Sequence, residues 1–437
     1  MTDIRQLVQE LLAQLGSSRE AQQYLKEYSG TNQARFAVVK VGGGILRDHL
    51  DELTSALAFL HRLGLIPVVL HGAGPQLDQA LADAGIETER REGLRVTSDA
   101  VMSVARPLMY RENLRLVEAL EAKGIRARGI QHGVFQCSYL DQENLGLVGE
   151  VEQVELDSIE SAVRSGAVPV LTCLGESPSG QVLNINADIA TRELVWKLRP
   201  HKVIFLSPTG GLLDRQDRII SAVSLTNDYD ALMKQPWVHS GMRLKLQQIN
   251  EMLQRLPDDT SVSITSAANL TRELFTYRGA GTLVRKGEAI NVFKDPDAET
   301  LATVKNLVEK SFNRTLRDDW FENLDNPLVL LSETGRAAAI MTAGVDGIPY
   351  LDKFTVTSEA QGEGLGAAIW QVVRARYPAL YWRSRNNNPI TPWYFQQADS
   401  SNRSAGWVVF TIGVEEPAQR QKCVEDSLAR DSGWVAE

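Results

Sequence analysis

Cysteine is scarce: three residues in 437, at positions 137, 173 and 423, with no CxxC pair among them. That spacing excludes a disulfide framework and a zinc site built on paired thiolates, and it fits a reducing compartment. Positive charge is not in excess either, with 46 Lys and Arg against 55 Asp and Glu and no basic cluster. A nucleic-acid partner needs clustered cations, so none is expected, whereas a small anionic ligand needs only a local cationic pocket. No apolar run approaches the ~18 residues required to cross a bilayer, so no membrane partner is expected. Neither GxxxxGK[ST] nor GxGxxG occurs, and there is no internal repeat or low-complexity tract. Residues 1–30 mix acids and bases around Ile4, Leu7, Val8, Leu11, Leu12 and Leu15, the pattern of an amphipathic helix and not of a signal or transit peptide. Two placements stay open for it, packed on its own domain or reaching to another subunit. The chain is expected to be soluble and cytoplasmic.

From Phe36 onward, short apolar strands alternate with helix-period segments. Strands are expected at Phe36–Val41, Ile66–Leu70, Val168–Cys173, Lys202–Leu206 and Ser261–Thr265, with helices at His49–Leu63, Pro75–Ala84 and Ile189–Leu198. This order predicts an α/β parallel-sheet sandwich over residues 31–285, with ligands at the carboxyl ends of the strands. Around residues 286–297 the character changes. Six of eight tryptophans lie beyond this stretch and all six histidines before it, so it reads as a linker between two separate cores. Residues 298–437 read as an α+β domain, with helix Ala298–Arg314, strands Pro327–Ser332, Ala337–Ala343 and Tyr350–Val356, helix Gly364–Tyr377, then strands near Tyr381–Arg383 and Trp407–Thr411.

Two strand ends in the first domain run into glycine turns, Lys40-Val41-Gly42-Gly43-Gly44 and His71-Gly72-Ala73-Gly74-Pro75. Such turns bring backbone N–H groups close to a phosphate, and a following helix adds partial positive charge. Taken alone, each is also an ordinary tight turn. Three further segments fit the same chemistry: Gly93-Leu94-Arg95-Val96-Thr97, Asn184-Ile185-Asn186-Ala187-Asp188, and Ser240-Gly241-Met242-Arg243-Leu244-Lys245. Together the five segments resemble the amino acid kinase family, in its N-acetylglutamate kinase branch, over roughly residues 35–285. The resemblance implies that Lys40 and Lys245 neutralise a transferring phosphoryl group and that Asp188 positions both. It further implies that Gly43, Gly44, Gly72 and Gly74 donate N–H groups, and that Arg95 and Asn184 hold N-acetylglutamate. ATP would arrive with its own magnesium, with no protein metal site. Where the family commonly carries an acid after the serine on the nucleotide side, this chain reads Ser207-Pro208-Thr209-Gly210-Gly211. Ser207, Gly210 and Gly211 are the remaining candidates for contact with the nucleotide.

In the second domain a strand leads to Gln361-Gly362-Glu363-Gly364-Leu365-Gly366 and then a helix. This Q-x-x-G-x-G loop resembles the pyrophosphate loop of the GNAT superfamily of acyltransferases and implies acetyl-CoA at Gln361, Gly362, Gly364 and Gly366. With Tyr350–Val356, Trp382–Arg385, Asn388–Ile390 and Pro392–Phe395, the domain is similar to the acetyltransferase of N-acetylglutamate synthases. That likeness implies that Lys353, Arg383 and Asn388 bind L-glutamate, with Tyr394 near the departing thiolate. The combined resemblance implies both acetylation of glutamate and phosphorylation of N-acetylglutamate, in a homo-oligomer with arginine as effector. Parts of the N-terminal helix and of Phe275–Gly281 resemble segments that arginine-sensitive kinases use. An alternative stays open: a synthase whose kinase-like domain only binds arginine. A second domain serving oligomerisation alone conflicts with the intact Gln361–Gly366 loop.

Overall fold

The computed structural model describes residues 36–238, 240–257, 260–275, 280–357, 360 and 364–435. The expected N-terminal helix lies outside these residues, as do Gln361, Gly362 and the central part of Phe275–Gly281. The chain divides into two compact units, Met1–Lys286 and Gly287–Glu437.

Six parallel strands form the heart of the first unit, in the order Ser261–Thr265, Lys202–Leu206, Ala37–Val41, Val68–His71, Val168–Thr172 and Ala127–Ile130. Two more, Thr282–Arg285 and Ala222–Ser224, extend one edge in the opposite direction. Strands buried on both faces read as unbroken apolar runs, as Lys202–Leu206 does with all five residues buried. Alternation sends Val38, Leu70, Val203 and Phe205 into one core and Val39, Val69, Ile204 and Leu206 into the other, so helices cover both sides. Lys40 follows the parity of Val38 and joins the layer containing helix Ala187–Leu198.

The sequence reading had no place for a second, four-stranded sheet, ordered Val182–Asn184, Leu174–Glu176, Phe135–Tyr139 and Gly149–Val154. Its strands are short and partly exposed, too mixed in pattern to stand out as core. Asn184 ends one of its edge strands.

In the second unit the sheet runs Ile290–Phe293, Leu328–Ser332, Ala337–Thr342, Tyr350–Val356, Leu380–Arg385, Trp407–Ile412 and Ser400–Ser404. The segment expected as a linker is therefore partly strand: Ile290–Phe293 pairs with Leu328–Ser332, its backbone groups satisfied by the sheet edge. Asp297 then caps helix Ala298–Phe312 by accepting from Thr300 N–H at 2.8 Å.

Two irregularities shape this sheet. Tyr350–Val356 and Leu380–Arg385 are parallel and paired only at Tyr350↔Tyr381, so they splay apart beyond that point. A bulge between Ile340 and Met341 leaves Asp352 without a partner, because Ile340 pairs with Lys353 and Met341 with Leu351. The extra residue lets the adjacent Asp352 and Lys353 side chains meet, against the usual alternation.

Candidate functional site

The site of the first unit sits where its parallel strands end, as expected for an open α/β sheet. Lys40 precedes the last residue of strand Ala37–Val41, and its Nζ lies 2.6 Å from Asp188 Oδ1 and 5.9 Å from the centre of the Phe205 ring. Asp188 itself is not the helix cap: Asn186 is, its Oδ1 accepting from Asp188 N–H at 2.8 Å and Ile189 N–H at 3.4 Å. The carboxylate is thereby left free to face the lysines. Burial alone would raise the Asp188 carboxyl, but the Lys40 and then the Lys245 ammonium together hold it below the ordinary range. Lys245 comes from helix Ser240–Gln254; burial and the neighbouring Lys40 charge lower it, against the pull of Asp188. Three charges that are remote in sequence thus share one small volume.

The two glycine turns meet beside this cluster. Gly42 caps the short helix Gly43–Asp48, so Gly43 and Gly44 are first-turn residues with no N–H partner inside the helix. Gly74 opens helix Gly74–Asp83 in the same way, with Pro75 next. Gly72 differs from the expectation: its N–H continues the sheet pattern to Val41 O at 3.0 Å and is not a spare donor. Its contribution is closeness, since a Cβ there would stand 3.2 Å from Ala187 Cβ. Gln76 ties the turns together, its Nε2 donating to Gly43 O at 2.9 Å and to buried Glu112 at 3.4 Å. His71, fully buried behind them, is pushed down to about 4 by burial and stays neutral, with Nε2 3.2 Å from the Asn113 amide nitrogen.

A hairpin brings Arg95 to the same end. Its two-residue loop, Glu92-Gly93, has both φ angles positive, +51° and +84°, as a type I′ turn requires. The Arg95 guanidinium pairs with Asp78, which Arg90 Nη2 also approaches at 3.3 Å. Arg95 Nη1 is buried and has no hydrogen-bond partner. A buried donor left without a partner is the kind of group a substrate carboxylate pairs with. Asn184 Nδ2 donates to Thr97 Oγ1 at 3.1 Å, and that hydroxyl donates to Arg95 O at 3.0 Å. The structure therefore joins Arg95 and Asn184 through Thr97.

On the far strand, Ser207 N–H donates to Thr265 O at 2.8 Å and Gly210 N–H to Ser207 O at 3.0 Å. Residues 207–210 are a hydrogen-bonded turn with Pro208 in its second position, which proline's fixed φ suits. The N–H groups of Ser207 and Gly210 are engaged within the protein, and Gly211 packs so closely on Ile219 and Thr282 that a Cβ would come 2.7 Å from Ile219 Cγ2. These residues shape a wall, and Pro208 Cγ would lie 3.5 Å from a Cβ on Gly44.

In the second unit Lys353 is buried, with Nζ donating to Asp352 at 2.7 Å and to Ser432 O at 3.1 Å, and with the Trp320 and Trp434 rings each 5.5 Å away. Arg383 donates to the carbonyls of Ser427 and Arg430 and lies 4.4 Å from the centre of the Trp407 ring. Both cations converge on residues 427–432, and each keeps further donors. Asn388 Oδ1 accepts from Ile390 N–H at 3.2 Å, leaving its amide nitrogen available. Tyr394 lies across the sheet, among Trp382, Phe410 and Phe354, with ring centres at 5.3, 5.6 and 6.5 Å. Burial, with the Tyr350 phenol adding to it, pushes its hydroxyl above the ordinary value. Gly364 is left-handed at φ +87° and caps helix Leu365–Arg376, whose first turn includes Gly366 and points unpaired N–H groups outward.

Among the described residues no group of three or more His, Cys, Asp or Glu is placed to hold a metal, and no helix is long and apolar enough to cross a membrane. Gln76, Asp78 and Glu112 belong to the site yet carry no motif; only three-dimensional contact identifies them.

The profile of the amino acid kinase family matches residues 35–266, and that of the N-acetyltransferase of N-acetylglutamate synthase matches residues 288–430. An acetylglutamate kinase of Xanthomonas campestris pv. campestris is 49% identical over 420 residues, covering 95% of this chain and 99% of its own. The mitochondrial N-acetylglutamate synthase of Homo sapiens is 32% identical, covering 94% of this chain and 75% of its own. Crystal structures of N-acetylglutamate synthase from Neisseria gonorrhoeae share the fold at 18% and 16% identity, with TM-scores of 0.62 and 0.57. Each covers 91% of this chain and 98% of its own; one holds coenzyme A with N-acetylglutamate, the other coenzyme A with L-arginine.

Filling the narrow space at Gly43 tests the geometry directly. A Cβ there would meet Gln76 Oε1 at 2.6 Å, Pro75 Cδ at 2.9 Å and Ala73 Cα at 3.0 Å. Gly43→Ala is expected to cost about 1–3 kcal/mol by overpacking, read as a lower urea midpoint at unchanged slope, and an unaltered midpoint would show that the turns are not held together.

Proposed function

This chain belongs to the amino acid kinase family and carries a second domain of the N-acetylglutamate synthase acetyltransferase type; on that premise we propose that it catalyses two transfers of arginine biosynthesis. In one, the amine of L-glutamate attacks the thioester carbonyl of acetyl-CoA, giving N-acetylglutamate and coenzyme A. In the other, the side-chain carboxylate of N-acetylglutamate attacks the γ-phosphorus of ATP, giving an acyl phosphate and ADP. The observation that carries the reading is the Lys40–Asp188–Lys245 cluster beside two glycine turns, in one chain with an acetyltransferase domain.

Phosphoryl transfer demands charge stabilisation and positioning more than covalent help. Lys40 and Lys245 supply positive charge toward the transferring group, Asp188 holds them, and Gly43, Gly44 and Gly74 offer N–H groups to phosphate oxygens. Arg95, through its orphaned Nη1, takes a carboxylate of N-acetylglutamate, with Asn184 beside it. Magnesium would arrive bound to the nucleotide and would supply charge neutralisation there. In the second domain the first turn of helix Leu365–Arg376 receives the coenzyme A pyrophosphate, with Gln361 and Gly362 preceding it in sequence. The remaining donors of Lys353, Arg383 and Asn388 hold glutamate. Tyr394, its proton retained well above neutral pH, gives that proton to the departing thiolate. Arginine as an effector, assembly as a homo-oligomer and a cytoplasmic setting complete the reading; the three cysteines, all free and buried, support the last.

Three measurements test it. Purified protein with ATP, magnesium and N-acetylglutamate should form ADP and a hydroxylamine-trapped acyl phosphate, and Lys245→Ala should lower that rate about 10²-fold or more. Absence of ADP with folded wild-type protein would favour a synthase bearing a regulatory kinase-like domain. The kinase rate should fall at high pH as Lys245 loses its proton, earlier than for an ordinary lysine. Asp188→Asn removes the charge that opposes this loss, so its residual rate should decline at a lower pH still; an unmoved limb would dissociate Lys245 from the profile. Tyr394→Phe should lower synthase turnover about 10²-fold with the fold unchanged, whereas full turnover would remove the tyrosine from proton transfer.

A further inference from the structure

Hydrophobic contact alone does not explain how Lys245 is kept in register with Asp188. Helices Ala187–Leu198 and Ser240–Gln254 bury Leu194, Val195 and Leu198 in one core with Leu246, Ile249 and Leu253. Apolar contact is non-directional, so by itself it specifies register less sharply than a hydrogen bond. The charges meanwhile act against closeness, because Lys40 and Lys245 repel each other across the single carboxylate of Asp188.

One side chain bridges the two helices a turn away from these charges. Arg192 follows Asp188 by four residues and therefore shares its helix face; Gln248 follows Lys245 by three and shares that one. Arg192 Nη1 donates to Gln248 Oε1 at 3.0 Å and also to the Glu251 carboxylate. Its Nε and Nη2 donate to Glu193 Oε1 at 3.0 and 2.7 Å, which fixes the plane of the fork. The guanidinium carbon lies 4.8 Å from the centre of the Trp196 ring, which also takes Arg255 at 4.1 Å and donates through Nε1 to Met252 O at 3.1 Å. Gln248 is buried, so its bond to Arg192 is shielded from solvent; Glu251 is half exposed and its bond carries less. A planar, multiply anchored guanidinium fixes direction as well as distance, unlike an ammonium or an apolar contact.

We propose that Arg192 is a positioning residue for phosphoryl transfer, clamping helix Ser240–Gln254 in the register that holds Lys245 beside Asp188 while touching neither substrate. The inference rests on the kinase reading above. It is tested on the full chain with Arg192→Met, which keeps much of the stem and removes the donors, and Arg192→Lys, which keeps one charged donor. Acyl phosphate is trapped as hydroxamate, kcat and KM are determined for ATP and N-acetylglutamate, and the synthase rate is measured on the same preparations. The expected result is a kinase kcat about 10- to 100-fold lower in Arg192→Met, with KM changed less than about two-fold. Arg192→Lys should recover part of the loss, and the synthase rate should be unchanged in both. An unaltered kcat, a loss confined to KM, or a parallel fall in the synthase rate would overturn the proposal. A wild-type chain that yields no hydroxamate would instead remove the kinase reading itself, a result the variants cannot imitate.

Discussion

Two ammonium groups kept beside one carboxylate impose the demand around which the first unit is organised. Such a cluster carries surplus positive charge in a partly buried place, where Coulomb forces are stronger than in water. Removing one member of a buried ion pair typically costs about 3–5 kcal/mol, because the remaining charge is left without its partner. Asp188 sits in the first turn of its helix, where the helix dipole favours the ionised form. The lysines have no such help and depend on the carboxylate. On the proposed reading, this surplus positive charge is what the transferring phosphoryl group meets.

The second unit solves positioning with different physics. Its strands splay after the single pairing Tyr350↔Tyr381, and a bulge at Asp352 turns Asp352 and Lys353 toward one another. Adjacent residues then serve opposite sides: Lys353 and Arg383 reach the segment 427–432, while Phe354 and Trp382 pack with Tyr394. Aromatic rings hold Tyr394 by shape and deny it water, which keeps its proton in place.

Much of this was legible in the chain because certain residue types have few other reasons to stand where they do. A lysine near the tip of a buried strand, next to Gly42-Gly43-Gly44, is hard to place without an anion, and the alternation around it fixes its layer. Central strands were found within a residue or two for the same reason, as unbroken apolar runs. What stayed hidden was whatever depends on contact between distant segments. Nothing local marks Gln76 as the tie to Gly43, Asp78 as the partner of Arg95, or Arg192 as a bridge to Gln248. Gly72 misled in another way: a glycine after a strand can serve as a phosphate donor or as a close-packing residue, and only its bond to Val41 O distinguishes them. Strand Ile290–Phe293 was taken for a connector because charged runs flank it at 285–288 and 294–297, whereas its pairing is supplied by strand Leu328–Ser332, far along the chain.

On the proposed reading, both units handle N-acetylglutamate, and their physical demands on it differ. In the second unit it is a product that must leave. There the cations assigned to it are already partly occupied, Lys353 by Asp352 and a carbonyl, Arg383 by two carbonyls. In the first unit the same molecule must be held while a phosphoryl group is transferred to it. There the assigned cation keeps a buried donor with no partner at all, and leaving such a donor unsatisfied costs about 1–3 kcal/mol. A carboxylate that satisfies it recovers that penalty on binding. The buried Nη1 of Arg95, left without a hydrogen-bond partner while Nη2 is held by Asp78, gives a physical basis for retention at the first site.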